Sequence, residues 1–295
     1  MAAEKIGVLG AGLMGAEIAL VYALAGHEVL LGDTSEAILA AASQRLDGIL
    51  VKGIGRGFYR AEERPAALSR IVGTTELADF ADRDLVIEAV FEDEAVKTEL
   101  WRQLDGICAP HCLFATNTSS IAISTLASCL APARRRRFLG THYFSPVSRM
   151  KLVEIIPGFD TAEDTVESAI RLCRAAGKTP IRVKDVVGFA VNRVLHAFII
   201  EAIRLVEEGV ASPEDIDTAC RLGLGHPMGP FELMDATTTS LSLQVQEILH
   251  EAYGERFRPP ALLKQKVRAG HLGRKVGKGW RDWPAPGDKG GTGKG

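Results

Sequence analysis

The sequence predicts an α/β protein, with a mostly parallel sheet domain followed by an all-helical C-terminal domain. Three observations predict this fold. Short apolar runs alternate with helical segments through the first 185 residues, which is typical of a parallel sheet with helices on both faces. A glycine-rich turn joins the first run to the first helix. From about residue 186 the periodicity is helical, and almost no run has the pattern of a strand.

The first elements lie close together along the chain. We expect a short buried strand at residues 5–9, a helix rich in small apolar side chains at 16–25, and a second strand at 28–31. A strand, a glycine turn, a helix and a strand with little chain between them are typical of the crossover that joins two parallel strands. The start of the chain therefore predicts one such unit.

The later elements divide the chain into domains. A helical pattern covers residues 35–70, and Ser212 is expected to cap a helix that begins at Pro213, with Asp215 closing a capping box. We expect further strands at residues 84–89, 112–116, 138–144, 152–156 and 180–183, with helices between them, including one at 163–176. The 295 residues thus predict a sheet domain at 1–185, a helical domain at 186–283 and a disordered tail, rich in Pro, Gly and Lys, at 284–295.

The glycine turn has the spacing of a Rossmann-type dinucleotide site. Gly10 makes the tight turn, Gly12 lets a pyrophosphate approach the backbone, and Gly15 lets the helix pack on the strand. The amide groups at the start of the helix, around Leu13 and Met14, then hold the anion together with the helix dipole. We therefore expect a dinucleotide at this turn.

Asp33 indicates which dinucleotide binds. It lies at the end of the second predicted strand, where a carboxylate can accept both ribose hydroxyl groups of NAD. The same charge repels a 2'-phosphate, and residues 34–36 include no arginine to receive one. NAD is therefore favoured over NADP. The alternative is a structural glycine turn with Asp33 capping the next helix.

Composition excludes several classes of function. Apolar residues make up 46% and charged residues 24%, and the formal net charge of -2 offers no general attraction to nucleic acid or to an anionic membrane. The arginines at 134–137 are either a phosphate patch or a solvated loop. Neither a signal peptide nor an 18-residue apolar run is found in the sequence. Five widely spaced cysteines predict reduced thiols in the cytoplasm, with no metal site.

Four polar residues are candidates for catalysis. Ser119 directly follows a predicted strand, and His142, which ends another, has the side chain best suited to remove a hydroxyl proton near neutral pH. Glu154 lies within an apolar strand, so it requires a partner, and a histidine is the obvious one. Asn192 falls at helical spacing with Phe189 and later apolar residues, and either a substrate or a buried bond between helices would satisfy its amide.

Five motifs together resemble the L-3-hydroxyacyl-CoA dehydrogenase family. The resemblance covers about residues 4–280, and the combination of motifs is specific even though each is short. The motifs are NTSS at 117–120, HYFSP at 142–146, MKLVE at 150–154, VGFAVNR at 187–193 and PMGP at 227–230.

The resemblance implies an NAD domain, a helical domain that forms a homodimer, and an acyl-CoA substrate in the cleft between the two domains. It implies that His142 is the catalytic base, that Glu154 orients it, and that Ser119 and Asn192 bind the substrate oxygen. It also implies cofactor contacts for five residues, which are Ser119, Glu92, Lys97, Ser145 and Lys275.

The sequence also departs from the family pattern. Ser145 stands where the family commonly has Asn, residues 235–239 lack the usual Gly-Leu-Asp, and Gly-Trp-Arg at 279–281 replaces Gly-Phe-Tyr. Two rivals therefore stay open: a related dehydrogenase acting on a small free hydroxy acid of the gulonate or carnitine type, and a non-catalytic NAD-binding protein of the crystallin type. The PMGP motif disfavours the first, and the four candidate polar residues together disfavour the second.

Overall fold

The computed structural model describes residues 3–284, which form two compact units. The first unit runs from Met1 to Phe189 and the second from Ala190 onward. From residue 285 onward, the tail that we expect to be disordered lies outside the described residues. None of the helices in the described part of the chain is long and apolar enough to cross a membrane.

The first unit is built on an eight-stranded sheet within the described residues, in the order β3-β2-β1-β4-β5-β6-β7-β8. Strands β1 to β6 are parallel, whereas β7 is antiparallel to β6, and β8 is parallel to β7. The mostly parallel sheet predicted from the sequence is therefore confirmed. The strands are β1 (Lys5–Leu9), β2 (Glu28–Gly32), β3 (Ile71–Thr74), β4 (Leu85–Glu88), β5 (Leu113–Thr116), β6 (Phe138–Tyr143), β7 (Leu152–Pro157) and β8 (Thr179–Arg182).

Helices cover both faces of this sheet. One core contains Ile6 and Val8 of β1 with the apolar residues of the first helix, and the other contains Val86, Trp101 and Phe114. The indole ring of Trp101 packs 4.8 Å from the ring of Phe114, measured between centroids. The helices are α1 (Leu13–Leu24), α2 (Glu36–Gly55), α3 (Glu63–Leu68), α4 (Glu94–Ile107), α5 (Ile123–Ala127), α6 (Pro132–Arg135) and α7 (Glu163–Ala175), with a 3-10 turn at Leu77–Phe80.

Two expectations for the first unit need correction. Strand β3 is missing from the prediction because it has only four residues, two of them exposed, so it has no apolar run. Arg134, the first residue of the arginine cluster, belongs neither to a phosphate patch nor to a solvated loop, because it is buried. Its guanidinium donates to the carbonyl groups of Ala109, Cys112 and Cys108 and to the carboxylate of Asp105. Arg134 therefore fixes the loop before β5.

The second unit is helical in its described part, as the sequence predicts. Its apolar core includes Ile203, Phe231, Met234 and Leu263, with the ring of Trp280 packed 4.7 Å from that of Phe231. The helices are α8 (Val191–Glu207), α9 (Pro213–Gly223), α10 (Pro230–Thr237), α11 (Thr239–Tyr253) and α12 (Ala261–Arg268), with 3-10 turns at Glu255–Phe257 and Arg274–Val276.

Two local expectations can be compared with these helices. Ser212 caps α9 by accepting a hydrogen bond from the amide of Asp215. The second bond differs from that of the expected capping box, because the Ser212 hydroxyl donates to the Asp215 carboxylate. Asn192 lies in the first turn of α8 and is half-buried. Phe189 precedes α8, with a φ of 45°, and packs in the first unit, so the expected stripe joining it to Asn192 is wrong.

Candidate active site

Three of the four predicted catalytic side chains meet at the carboxyl end of β5 and β6. His142 on β6 is the register partner of Glu154 on β7, so both side chains lie on the same face of the sheet. His142 Nδ1 lies 2.8 Å from Glu154 Oε2, and His142 Nε2 lies 2.9 Å from Ser119 Oγ. Glu154 is fully buried, and His142 is nearly so. The buried carboxylate therefore has the histidine partner that its burial requires.

The hydrogen-bond chemistry of the pair fixes the tautomer of His142. A carboxylate can only accept, so Nδ1 of His142 carries the hydrogen that is donated to Glu154. In the neutral ring Nε2 is then the acceptor, and it receives the hydroxyl hydrogen of Ser119. This arrangement leaves a basic nitrogen beside a hydroxyl group at the edge of the sheet.

Aromatic rings flank the imidazole. The ring centroid of Phe144 lies 4.7 Å from that of His142, and the centroid of Phe189 lies 5.5 Å away. Phe189 adopts a positive φ, a conformation that non-glycine residues rarely adopt and that costs about 1–3 kcal/mol. The surrounding structure therefore holds this ring against His142 at an energetic cost.

Asn117 links the two strand ends that carry Ser119 and His142. Its side-chain Oδ1 accepts a hydrogen bond of 2.8 Å from the backbone amide of Tyr143. The hydroxyl group of Tyr143 in turn lies 2.9 Å from that of Tyr22 on α1, inside the core. The sequence includes Asn117 in a motif but gives no signal for this bond, because it joins residues 26 positions apart.

Glu92 organises the loop that carries Ser119. One of its oxygens, Oε1, accepts from the hydroxyl of Thr118 at 2.6 Å and from the amides of Ser119 at 2.8 Å and Ser120 at 2.9 Å. Burial acts to raise the pKa of Glu92, but the charge of Lys97 and these donors outweigh burial and lower the pKa below its usual value. Glu92 is therefore an ionised carboxylate at neutral pH.

Lys97 lies buried between Glu88 and Glu92. Its ammonium group is buried and donates to Glu88 Oε1 at 2.5 Å and to the carbonyl oxygen of Val90 at 3.4 Å. The ammonium also lies 3.3 Å from Glu92 Oε2. The ammonium thus makes two hydrogen bonds and one ion pair within the first unit. The charge of Lys97 therefore supports the ionised carboxylate of Glu92.

The glycine turn has room for a ligand at one position only. The amide of Gly10 bonds to the carbonyl of Gly32 at 2.8 Å with a φ of 95°, and a Cβ on Gly15 would lie 1.8 Å from the carbonyl oxygen of Gly10. Packing therefore requires glycine at both positions. A Cβ on Gly12 would meet no atom within 4 Å, so the described residues leave that space open.

The start of α1 fits an anion in this space. Among the described residues, no side chain caps α1, and its first turn, which includes Leu13 and Met14, has no acidic residue. Backbone amides and the positive end of the helix dipole are therefore available for a pyrophosphate group. Asp33 Oδ2 accepts the amide of Ala11 at 2.6 Å, which holds its carboxylate beside the turn. These residues fit a dinucleotide.

The other predicted site residues belong to other segments of the chain. Ser145 is exposed directly after β6 in the first unit. Asn192 and Lys275 belong to the second unit, Asn192 in the first turn of α8 and Lys275 exposed in the 3-10 turn at Arg274–Val276. The site in the first unit thus contains Ser119, His142 and Glu154, supported by Glu92.

Comparison with known sequences assigns both units. The family model described as 3-hydroxyacyl-CoA dehydrogenase, NAD binding domain, matches residues 5–186, and the model described as 3-hydroxyacyl-CoA dehydrogenase, C-terminal domain, matches residues 188–283. The chain belongs to the 3-hydroxyacyl-CoA dehydrogenase family. The resemblance seen in the motifs is therefore confirmed, NAD is the cofactor, and the chain is an oxidoreductase of this type.

Named relatives span nearly the whole chain. A probable 3-hydroxybutyryl-CoA dehydrogenase from Deinococcus radiodurans is 41% identical over 280 residues, which are 94% of this chain and 99% of the relative. The human mitochondrial hydroxyacyl-coenzyme A dehydrogenase is 42% identical over 94% of this chain and 90% of its own. The crystal structure of (S)-3-hydroxybutyryl-CoA dehydrogenase from Ralstonia eutropha matches with a TM-score of 0.91 and 38% identity, over 96% of this chain and 100% of that one.

Proposed function

We propose that the chain catalyses the reversible oxidation of an L-3-hydroxyacyl-CoA to the 3-oxoacyl-CoA, with NAD as the electron acceptor. The observation that carries this proposal is the line of hydrogen bonds from Ser119 through His142 to Glu154, with distances of 2.9 and 2.8 Å. It provides a base for a hydroxyl proton at the carboxyl edge of the sheet, which is where open parallel sheets bind their ligands.

His142 carries the proton step. Its Nε2 takes the proton of the substrate's 3-hydroxyl group, and the imidazolium that forms is stabilised at Nδ1 by the Glu154 carboxylate. When bound, NAD accepts the hydride that leaves C3 of the substrate. Ser119 holds the substrate oxygen near Nε2, and we assign the same role to Asn192 from the family pattern. In the reverse direction, His142 returns the proton to the oxygen.

The cofactor site that we propose has two parts. The glycine turn and Asp33 hold the adenosine half and the pyrophosphate, through the residues Gly10, Gly12, Leu13, Met14, Gly15 and Asp33. Glu92, Ser119, Ser145 and Lys275 contact the remainder. Lys97, whose ammonium lies 3.3 Å from Glu92 Oε2, is assigned to the same part of the site. Each of these assignments is testable by the dissociation constant of NAD.

Substrate, assembly and location are further parts of the proposal. The relatives from Deinococcus radiodurans and Ralstonia eutropha are named for 3-hydroxybutyryl-CoA, which supports a short acyl chain as the first substrate to test. A homodimer formed through the helical domain and a cytoplasmic location stay predictions.

One assay separates the candidate functions. Oxidation of NADH is followed with acetoacetyl-CoA, with acetoacetate, with the keto forms of gulonate and carnitine, and without substrate. Turnover of the thioester alone supports the proposal, whereas turnover of a free keto compound in its place assigns the related small-acid activity. NAD binding with no turnover of any of them would assign a non-catalytic protein.

A further inference from the structure

The glycine turn is held from two sides. Asp33 Oδ2 accepts the backbone amide of Ala11 at 2.6 Å, and one guanidinium nitrogen of Arg45 donates to the carbonyl oxygens of Ala11 at 2.8 Å and Gly12 at 3.0 Å. Arg45 lies on α2, 12 positions after Asp33 in the sequence. A carboxylate and a guanidinium therefore bind successive peptide units of the dinucleotide site.

Packing of α2 brings Arg45 to this place. Leu39, Ala42 and Leu46 bury one side of the helix in the core of the first unit. Arg45 adjoins this buried side and is itself half-buried, and its position therefore follows from the docking of the whole helix. Residues 34–36 include no arginine, and Arg45 reaches the turn from the helix that follows them.

The charge of Arg45 is not matched within the described residues. No ion pair to Arg45 is found there, and its buried Nε has no hydrogen-bond partner among them. A half-buried cation without a counter-ion is unfavourable unless an anion binds nearby. The turn that Arg45 holds is the one that fits a pyrophosphate. The charge of Arg45 is thus left for a ligand.

We propose that Arg45 is a specificity-determining residue of the dinucleotide site. It fixes the turn through two carbonyl oxygens, and its charge attracts the phosphate groups of the dinucleotide. The preference for NAD over NADP is then the net result of repulsion of the 2'-phosphate by Asp33 and attraction by Arg45. This inference rests on the cofactor half of the proposed function and is independent of the substrate.

The test is a double-mutant cycle in which the dissociation constants of NAD and NADP are measured by isothermal titration calorimetry. Arg45→Met is expected to weaken NAD binding about tenfold, because two charge-assisted hydrogen bonds and a cation are lost. Asp33→Asn keeps an oxygen for the amide of Ala11 and is expected to tighten NADP binding about tenfold. The double variant Asp33→Asn/Arg45→Met should bind NADP no better than Arg45→Met.

Two control variants separate the effect of Arg45 at the turn from the effect of removing any positive charge from α2. Lys52→Met removes an exposed positive charge from the same helix and should leave both dissociation constants within about twofold. Arg45→Lys keeps the charge but lacks the planar fork, so it should bind NAD between the wild type and Arg45→Met. It also provides the test if Arg45→Met fails to fold.

The outcomes are distinct. Unchanged NAD binding in Arg45→Met, or in Arg45→Lys where only that variant folds, would overturn the proposal. So would an equal gain in NADP affinity in Asp33→Asn and in the double variant. Because binding requires no turnover, these results stand whatever the assay with acetoacetyl-CoA shows.

Discussion

The buried polar groups at the carboxyl edge of the sheet differ from those of the α8 and α11 helix pair. At the sheet edge, His142 pairs with Glu154 and Lys97 with Glu88, each pair inside the first unit. In the helix pair, His196 Nδ1 and both polar atoms of the Gln246 side chain are buried without a partner among the described residues. Of these side chains, His142, Glu154, Lys97 and Glu88 are hydrogen-bonded, whereas His196 Nδ1 and the Gln246 amide are not.

Burial has different consequences for paired and for unpaired polar groups. Paired charges in a region with little water have fixed geometry, which is what proton transfer and cofactor binding require. Unpaired polar atoms inside a helix pair reduce stability by about 1–3 kcal/mol each and fix nothing. The paired groups at the sheet edge therefore point to function, whereas the unpaired groups of His196 and Gln246 predict a stability cost.

The largest expected effect follows from breaking the His142 pair. Glu154→Gln should lower kcat about 1,000-fold, because an amide that donates to Nδ1 favours the wrong tautomer and no longer stabilises the imidazolium. Steady-state kinetics with acetoacetyl-CoA and NADH measure this, with the dissociation constant of NAD as the control. A kcat within fivefold of wild type would show that the pairing has no catalytic role.

Breaking the second pair should affect stability. Lys97→Met leaves Glu88 buried without its ammonium partner, and we expect the free energy of unfolding in urea to fall by about 3 kcal/mol. The double variant Glu88→Gln/Lys97→Met removes the orphaned charge and should recover most of the loss. Equal stability of the single and double variants would contradict the pairing.

The helix pair predicts a pH dependence. Burial lowers the pKa of His196 to about 4, below the ordinary value of 6.5 that applies in the unfolded chain. Below pH 6.5 the unfolded state therefore binds the proton first, and the folded protein is destabilised by about 2 kcal/mol between pH 7.5 and pH 5. Above pH 6.5 the ring is neutral in both states and has no such effect.

Variants at two histidines isolate this contribution. Relative to wild type, His196→Leu should remove about 2 kcal/mol of the pH dependence of unfolding between pH 7.5 and pH 5. His111→Gln, at an exposed position, should not remove it. The same pH slope in wild type and His196→Leu would disprove the assignment.

The smallest effect concerns the unpaired amide. Gln246→Met keeps the shape of the side chain and removes polar atoms that lack partners, so the free energy of unfolding should rise by about 1 kcal/mol. Gln244→Met on the exposed side of α11 is the matched control and should change it little. Destabilisation by Gln246→Met would show that the amide is hydrogen-bonded in solution, and it would contradict the contrast between paired groups at the sheet edge and unpaired groups in the helix pair.

Sequence patterns predict well the features that depend on neighbours along the chain. The strands that carry His142 and Glu154 are apolar runs, and the glycine spacing marks the cofactor turn because each glycine has its own steric reason. The need of Glu154 for a partner also follows from its apolar neighbours. The histidine could then be chosen because it lies near the end of the preceding strand.

Features that depend on packing at long range are not predictable in this way. Nothing in the sequence around Lys97 indicates that its ammonium is buried beside Glu88 and Glu92, and the same applies to the position of Arg45 over the turn. Both residues are long cations on helices, which are normally exposed. Their partners lie on other elements, so only the docked fold reveals them.

The most direct test of the central claim is the effect of His142→Gln on catalysis and on cofactor binding together. The account predicts that kcat with acetoacetyl-CoA and NADH falls at least about 1,000-fold, while the dissociation constant of NAD changes less than about twofold, because His142 moves the proton and does not hold the cofactor. Turnover at the wild-type rate would contradict it.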